Sequence, residues 1–109
     1  MTIERKLYSC HIMARLFLSP TSDGGRATAI KRKYTPLFCI DDECIYCAVI
    51  LQDRDKLLPG EESTVKIDIL GPQRIIETIR ASQKFDLKEG PRIVGKGEIL
   101  EKGKIESPP

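Results

Sequence analysis

Apolar and polar residues alternate along most of this chain, and a period of two is typical of β-strands that place one face on a core. Residues 7–18 and 64–69 show the alternation most clearly. Residues 73–84 fit either a short helix or an irregular edge strand, and we favour strand and loop there. Similar patterns, or short apolar runs between turn residues, predict further strands at 36–40, 44–51, 85–87 and 92–100.

Glycine, proline and acidic residues mark the turns between these strands. Asp23-Gly24-Gly25 predicts a tight reversal, because glycine adopts backbone angles with positive φ at no steric cost. Pro59-Gly60 has the residue order of a type II turn. The acidic residues 41–43 form the predicted tip of a hairpin. In the last strand, alternation places Ile93, Gly95, Gly97 and Ile99 on one face, where the two glycines leave room for a large side chain or another backbone.

The length of 109 residues is enough for one domain with its own core, and 40% of the residues are hydrophobic. We therefore expect a single domain over residues 1–109, with its core at about 7–101 and a flexible tail at 102–109. A net charge of +2 is too small to predict nucleic-acid binding by itself. No apolar run approaches the roughly 20 residues that cross a bilayer, so we expect a cytoplasmic protein that binds no membrane.

The four cysteines, Cys10, Cys39, Cys44 and Cys47, raise the question of a metal site. Cys44 and Cys47 have the spacing of half a zinc site, but no second close pair supplies the other two ligands. In a strand, residues 44 and 47 also face opposite sides, which separates their thiols. We predict buried or half-buried free thiols, with no bound metal and no other cofactor.

Residues capable of catalysis do not form a recognisable set. His11, the single histidine, lies on the mixed face of its strand without an assigned nucleophile, which favours a surface role. Residues 90–97 contain the G-x-x-x-x-G-K spacing of a phosphate-binding loop, but a glycine follows the lysine where the motif needs Ser or Thr. We therefore predict no catalytic residues, no bound nucleotide and no enzymatic activity.

The densest positive charge in the sequence follows the glycine turn, at Arg26, Lys31, Arg32 and Lys33. An anionic partner would dock at this basic segment. A basic connection beside a turn is also common as a solvated loop, and the pattern alone leaves both interpretations open.

Several motifs together resemble the C-terminal, third domain of elongation factor Tu and its relatives. In the order and at nearly the spacing of that family, over about residues 12 to 101, the chain has Gly24-Gly25-Arg26, Thr28, Tyr34, Pro36, Phe38, Pro59-Gly60, Phe85, Glu89-Gly90, Arg92 and Val94-Gly95-Lys96-Gly97. The resemblance implies an all-β fold, a single closed antiparallel β-barrel of about six strands, which agrees with the strands predicted above. The side chains expected in or lining its core are Ile12, Leu16, Phe38, Val49, Val65, Ile67, Ile69 and Val94.

In that family the barrel performs no chemistry, packs against the factor's other domains and helps to hold the backbone of aminoacyl-tRNA. Three positions, Arg26, Gly95 and Gly97, match family residues near the tRNA, whereas Ala27 and Leu37 stand where the family has histidine and glutamine. The resemblance thus implies a free-standing, non-catalytic binding module without GTPase activity, and docking to a protein partner is the hypothesis that we favour. The alternative is binding to the backbone of tRNA or another structured RNA, with Arg26, Lys31, Arg32, Lys33 and Lys96 as its candidate residues.

Overall fold

The computed structural model describes residues 6–107, which form β-strands and one short helix. A turn of 3-10 helix at Thr21–Asp23 precedes the predicted glycine turn. In chain order the other elements are β1 (Tyr8–Leu18), β2 (Ile30–Lys31), β3 (Lys33–Tyr34), β4 (Leu37–Ile40), β5 (Glu43–Leu51), β6 (Lys56–Leu57), β7 (Glu62–Gly71), α1 (Gln73–Thr78), β8 (Lys84–Glu89) and β9 (Arg92–Lys102).

Six of the strands close into an antiparallel barrel, which confirms the predicted fold class. Their order around the barrel is β5, β4, β8, β9, β1 and β7, and β7 pairs again with β5. This closure pairs the strand edges with each other and so removes the free edges of an open sheet. The additional strand β3 pairs with the same edge of β5 as β4 does, and Thr35 and Pro36 separate the two strands. Strands β2 and β6 form a separate two-stranded ladder.

The core lies inside the barrel, and all the core residues predicted from the sequence are buried. Every second side chain of β1 and β7 points inward, so that the register partners Ile12 and Ile67 are both buried. Among residues 6–107, no polar or charged residue is buried. The fold is therefore held by apolar packing, at about 1.5 to 3 kcal/mol for each large side chain fully removed from water.

A β-bulge in β9 changes which side chains face the core. Ile93 pairs with Lys88 and Gly95 pairs with Leu87, so that Val94 is the extra residue between the two pairs. Val94 and Gly95 are consequently both buried, whereas Ile93 is turned outward and is 37% exposed. Simple alternation had placed Ile93 on the same face as Gly95, and this part of the prediction is wrong because the bulge shifts the alternation by one residue.

Residues 73–78 form the helix α1, so the preference for strand and loop in this region was wrong. The apolar residues Ile75, Ile76 and Ile79 have helical spacing, and Ile76 and Ile79 are buried while Ile75 packs against the core. Pro72 precedes the helix, where its fixed φ is compatible with a helix start. Within residues 6–107, no helix has the length and apolar character that crossing a membrane requires.

The segment that follows β9 is held against β1. The amide of Gly103 donates to the carbonyl of His11 at 2.8 Å, and Ser9 and Glu106 exchange two backbone hydrogen bonds of 3.0 and 2.8 Å. The segment up to Glu106 therefore does not hang free, contrary to the prediction of a flexible tail. The part of that prediction that concerns residues 108 and 109 lies outside the described residues.

Two of the predicted turns have the expected backbone. Gly24 has a φ of 87° after the 3-10 turn, and Gly60 has a φ of 88°. The amide of Glu61 donates to the carbonyl of Leu58 at 3.0 Å, which closes a turn with Pro59 and Gly60 at its centre. These are the positions of a type II turn, as the sequence predicted.

Candidate functional site

Arg26, the first residue of the basic segment, belongs to a half-buried cluster of three side chains. Its guanidinium hydrogen-bonds to Glu89 and lies over the ring of Tyr34, 4.9 Å from the ring centroid. The hydroxyl of Tyr34 donates to the same carboxylate, and Arg26 also donates to Thr28 Oγ1 at 3.2 Å. Arg26 thus joins the loop after the glycine turn to the β8–β9 turn, and its charge is already matched by a carboxylate.

The protonation states of this cluster follow from burial and hydrogen bonding. Burial raises the pKa of Glu89, but hydrogen bonds from Tyr34 and Arg26 outweigh it, and the net effect is a pKa below the usual range. Burial, followed by the hydrogen bond to Glu89, raises the pKa of the Tyr34 hydroxyl. At neutral pH the carboxylate is therefore charged and the tyrosine is neutral, which suits their mutual hydrogen bond.

The other three cations of the basic segment differ in their partners. Arg32 forms an exposed ion pair with Asp55. Lys31 and Lys33 are exposed and form no ion pair with any described residue. Lys31 stands directly opposite Lys56 in the β2–β6 ladder, which adds a second positive charge. The free positive charge of the segment is therefore at its lysines.

Gly95 and Gly97 face the interior of the barrel. A Cβ added at Gly97 would lie 2.3 Å from the ring of Phe85 and 2.6 Å from the carbonyl oxygen of Arg15. A Cβ at Gly95 would lie 3.2 Å from a methyl group of Leu16. These glycines make room for core side chains and the neighbouring backbone, as their shared face predicted, and they do not lie on the surface that carries the lysines.

Lys96 is exposed on β9. It pairs with Asp86, which in turn pairs with Cys39 on β4. Lys96 is thus aligned with Cys39 across the sheet. Cys39 is six positions along the chain from Lys33, which corresponds to roughly 20 Å at about 3.3 Å per residue of strand. The structure therefore does not bring the seven candidate residues together into one site.

Cys39 and Cys44 form a disulfide, which corrects the prediction of four free thiols. The two residues are register partners on β4 and β5, with their Cα atoms 4.1 Å apart. Cys10 and Cys47 are free and buried, as predicted, and burial raises the pKa of the Cys47 thiol to about 12. No group of three or more potential metal ligands occurs among residues 6–107.

His11 is exposed and pairs with its cross-strand neighbour. Its Nδ1 lies 2.5 Å from Asp68 Oδ1, and Lys66 Nζ lies 3.7 Å from the same oxygen. His11 and Asp68 are register partners on β1 and β7, so the contact follows directly from strand pairing. The exposed position agrees with the predicted surface role of this histidine.

An apolar surface on β5, which was not predicted from the sequence, is exposed on the barrel wall. Tyr46 is 65% exposed at its centre. Leu37 on β4 and Leu70 on β7 are its register partners on either side, and Leu70 is 38% exposed. We call this surface the Tyr46 patch, and it consists of the outward-facing residues Leu37, Cys44, Tyr46, Ala48, Ile50 and Leu70.

A groove adjoins the Tyr46 patch at the end of β5 that carries the disulfide. Its volume is about 650 Å³, which is within the range of ligand-binding clefts. Its lining is largely apolar and includes two leucines and a tyrosine. The residues that line it are Lys6, Leu7, Cys44, Ile45, Tyr46, Leu70, Gly71 and Pro72.

The apolar run 44–51 was visible in the sequence, but its two faces were not distinguishable from each other. Both faces of this strand carry apolar residues, so periodicity does not tell which one is inside. Barrel closure buries Ile45, Cys47 and Val49 and leaves the intervening positions outside.

No family model matches the chain.

Proposed function

We propose that this chain is a non-catalytic binding module that docks another protein through the Tyr46 patch. The observation that carries the proposal is Tyr46 itself, a tyrosine that is 65% exposed between two leucines on a strand with a wholly apolar outer face. Contiguous exposed apolar surface of this kind marks interaction sites. Tyrosine is also among the residues that contribute most to binding energy at protein interfaces.

The resemblance to the third domain of elongation factor Tu supports the same function. In that family the barrel acts by packing against other protein domains and has no chemistry of its own. The closed six-stranded barrel of this chain is compatible with that relationship. Because Arg26 and Arg32 are matched by carboxylates, their ion pairs favour a structural use of those two arginines over phosphate binding.

The charges at the edge of the patch indicate the chemistry of the partner. Lys33 is the register partner of Ile50, and Lys88 is the register partner of Leu37. Neither lysine forms an ion pair with a described residue. The acidic residues 41–43 at the tip of the β4–β5 hairpin carry the opposite, negative charge. We therefore expect a partner segment with an apolar anchor against Tyr46 and carboxylates directed toward these two lysines.

The test is affinity capture with a variant that removes the anchor and a control that removes a similar residue elsewhere. Tyr46→Ser should lose the partner. Phe17→Ser should retain it, because Phe17 is 40% exposed on β1, on a part of the wall outside the patch. Both variants should unfold within about 0.5 kcal/mol of the parent, as is usual for surface substitutions. Retention of the same partners by Tyr46→Ser would contradict the proposal.

A second candidate function, binding to the backbone of tRNA or another structured RNA, is supported by the two lysines of the basic segment that have no acidic partner. Lys31 stands opposite Lys56, and both Lys31 and Lys33 present positive charge to solvent. Nuclease treatment during affinity capture separates the two candidates, because a partner held through RNA is released by nuclease and a directly docked protein is not. The two functions therefore have opposite expected results in one experiment.

A further inference from the structure

We infer that the Cys39–Cys44 disulfide is a reversible thiol–disulfide exchange site for a dithiol reductant, with Cys44 as the sulfur that is attacked. The two half-cystines have very different surroundings. Cys39 is 2% exposed, whereas Cys44 is an exposed residue at the start of β5. Exchange requires access of a thiolate to one sulfur. Of the two residues that share the bond, only Cys44 is exposed.

The groove beside the Tyr46 patch gives the attacking group a place to bind. Cys44 lines this groove of about 650 Å³ together with Leu7, Tyr46 and Leu70. An apolar wall next to an exposed disulfide suits the loop of a protein dithiol, whose second thiol must remain close while the first is bonded. The groove therefore explains why the site would accept a dithiol better than a single small thiol.

The exchange balances without any further reactant. One thiolate of the reductant attacks Cys44 Sγ, the Cys39–Cys44 bond breaks, and Cys39 leaves as a thiolate that takes up a proton. The second thiol of the reductant, as a thiolate, then attacks the mixed disulfide and releases the Cys44 thiolate. The chain gains two electrons and two protons, and the reductant becomes a disulfide. A disulfide oxidant such as glutathione disulfide reverses the reaction.

The remaining cysteines do not interfere with this exchange. Cys47 is buried and donates its thiol to the carbonyl of Pro36 at 3.3 Å. Cys10 is buried and donates to the carbonyl of Gly103 at 3.3 Å. Burial raises the pKa of both thiols, so they stay protonated and are poor nucleophiles at neutral pH. The bond therefore opens to an external thiol and is not reshuffled from within.

The consequence for the molecule is local. The bond closes the β4–β5 hairpin two residues from the pair Leu37 and Tyr46. Phe38 and Ile45, on the inner face of the same hairpin, are buried in the core, and we expect this packing to hold the hairpin when the bond is open. Reduction should thus loosen the hairpin tip and change docking at the Tyr46 patch while the barrel stays folded. This last effect rests on the proposed function, but the exchange itself does not.

Alkylation of the folded protein tests the exchange. After treatment with dithiothreitol and no denaturant, iodoacetamide should label Cys44 first and Cys39 more slowly, but leave Cys10 and Cys47 unlabelled until the protein is unfolded. Deuterium exchange should increase at residues 39–44 and remain unchanged in β1. Four free thiols in protein purified under oxidising conditions, or reduction only in denaturant, would overturn the inference.

Two variants, each with one cysteine of the disulfide replaced, test which sulfur is attacked. Cys39→Ser leaves Cys44 with a free thiol, and Cys44→Ser leaves Cys39 with a free thiol. We expect Cys39→Ser to form a mixed disulfide with glutathione disulfide at least about tenfold faster than Cys44→Ser, because burial limits access to the Cys39 thiol. Equal rates would overturn the assignment of Cys44. Affinity capture through Tyr46 in oxidised and reduced protein is read separately, so failure of the docking proposal and failure of the exchange site give distinguishable results.

Discussion

The ring of Phe85 occupies the space that a side chain at residue 97 would need. A Cβ on Gly97 would lie 2.3 Å from Phe85 Cζ, well inside van der Waals contact. Phe85 also stacks on Phe38 of the neighbouring strand β4, with the ring centroids 4.6 Å apart. Gly97 is therefore a packing requirement of an aromatic pair in the core. Core packing therefore accounts for a glycine at this position without reference to a ligand.

We expect Gly97→Ala to lower the free energy of unfolding by about 1 to 3 kcal/mol, because the new methyl group forces the ring of Phe85 or the adjacent strand to move. Lys96→Ala, at the neighbouring outward position, is the control and should stay within about 0.5 kcal/mol of the parent. Urea denaturation followed by circular dichroism measures both. A neutral Gly97→Ala would show that the close contact is relieved without cost.

The Arg26–Tyr34–Glu89 cluster should make stability depend on acid pH. The pKa of Glu89 is lower in the folded protein than in the unfolded chain, because hydrogen bonds from Tyr34 and Arg26 outweigh the effect of burial. Its contribution is fully present above the unfolded pKa and is lost as the pH falls through the folded pKa. The stability difference between the parent and Glu89→Gln should therefore shrink between about pH 7 and about pH 3.

The exposed Asp53, which has no ion-pair partner among the described residues, provides the control for this measurement. Asp53→Asn should follow the parent at both pH values. A difference between the parent and Glu89→Gln that is the same at both pH values would show that the Glu89 carboxylate is not stabilised by its charge.

Removal of the Cys39–Cys44 disulfide should destabilise the barrel only modestly. The two residues are five positions apart, and cross-linking so short a loop restricts the unfolded chain by about 2 kcal/mol. Cys39→Ser with Cys44→Ser should therefore unfold at lower denaturant concentration but with the same cooperative transition. Parent protein reduced with dithiothreitol should match the double variant. A loss of all folded structure would contradict the local role of the bond.

Any binding to RNA should depend on Lys31 and Lys33, since Arg26 and Arg32 are matched by carboxylates. We expect weak, non-specific binding in the range of about 10⁻⁴ to 10⁻⁶ M at physiological salt. Lys31→Ala with Lys33→Ala should reduce the slope of log affinity against log salt by about one unit per lost phosphate contact. Fluorescence anisotropy with a structured RNA measures this slope.

Lys84→Ala with Lys104→Ala removes the same charge elsewhere on the chain and serves as the matched control for the RNA measurement. It should leave the slope nearly unchanged. An equal effect of both double variants would assign the interaction to net charge, and no binding even at low salt would exclude the RNA candidate.

Much of the architecture followed from local patterns in the sequence. Period-two alternation located β1 and β7 most clearly, because a strand with one face on a core must alternate, and short apolar runs between turn residues located β4 and β5. Pro59-Gly60 specified its turn, because proline restricts φ to the value of the first central position and glycine allows the positive φ of the second. The shared face of Gly95 and Gly97, and the room that it leaves for a large side chain or another backbone, were also predictable. The helix at 73–78 was not, since three isoleucines fit both periods over so short a segment.

The tertiary structure decided which surface is available for binding. The run 44–51 is apolar on both faces, and only barrel closure determines that Tyr46 lies outside while Ile45 and Cys47 lie inside. Cys39 and Cys44 could form a bond only once the hairpin register placed them opposite each other. Arg26 and Glu89 are 63 positions apart, so no local pattern could show that the arginine is already paired. Sequence periodicity reports burial one segment at a time, whereas these contacts depend on segments that meet only when the chain folds.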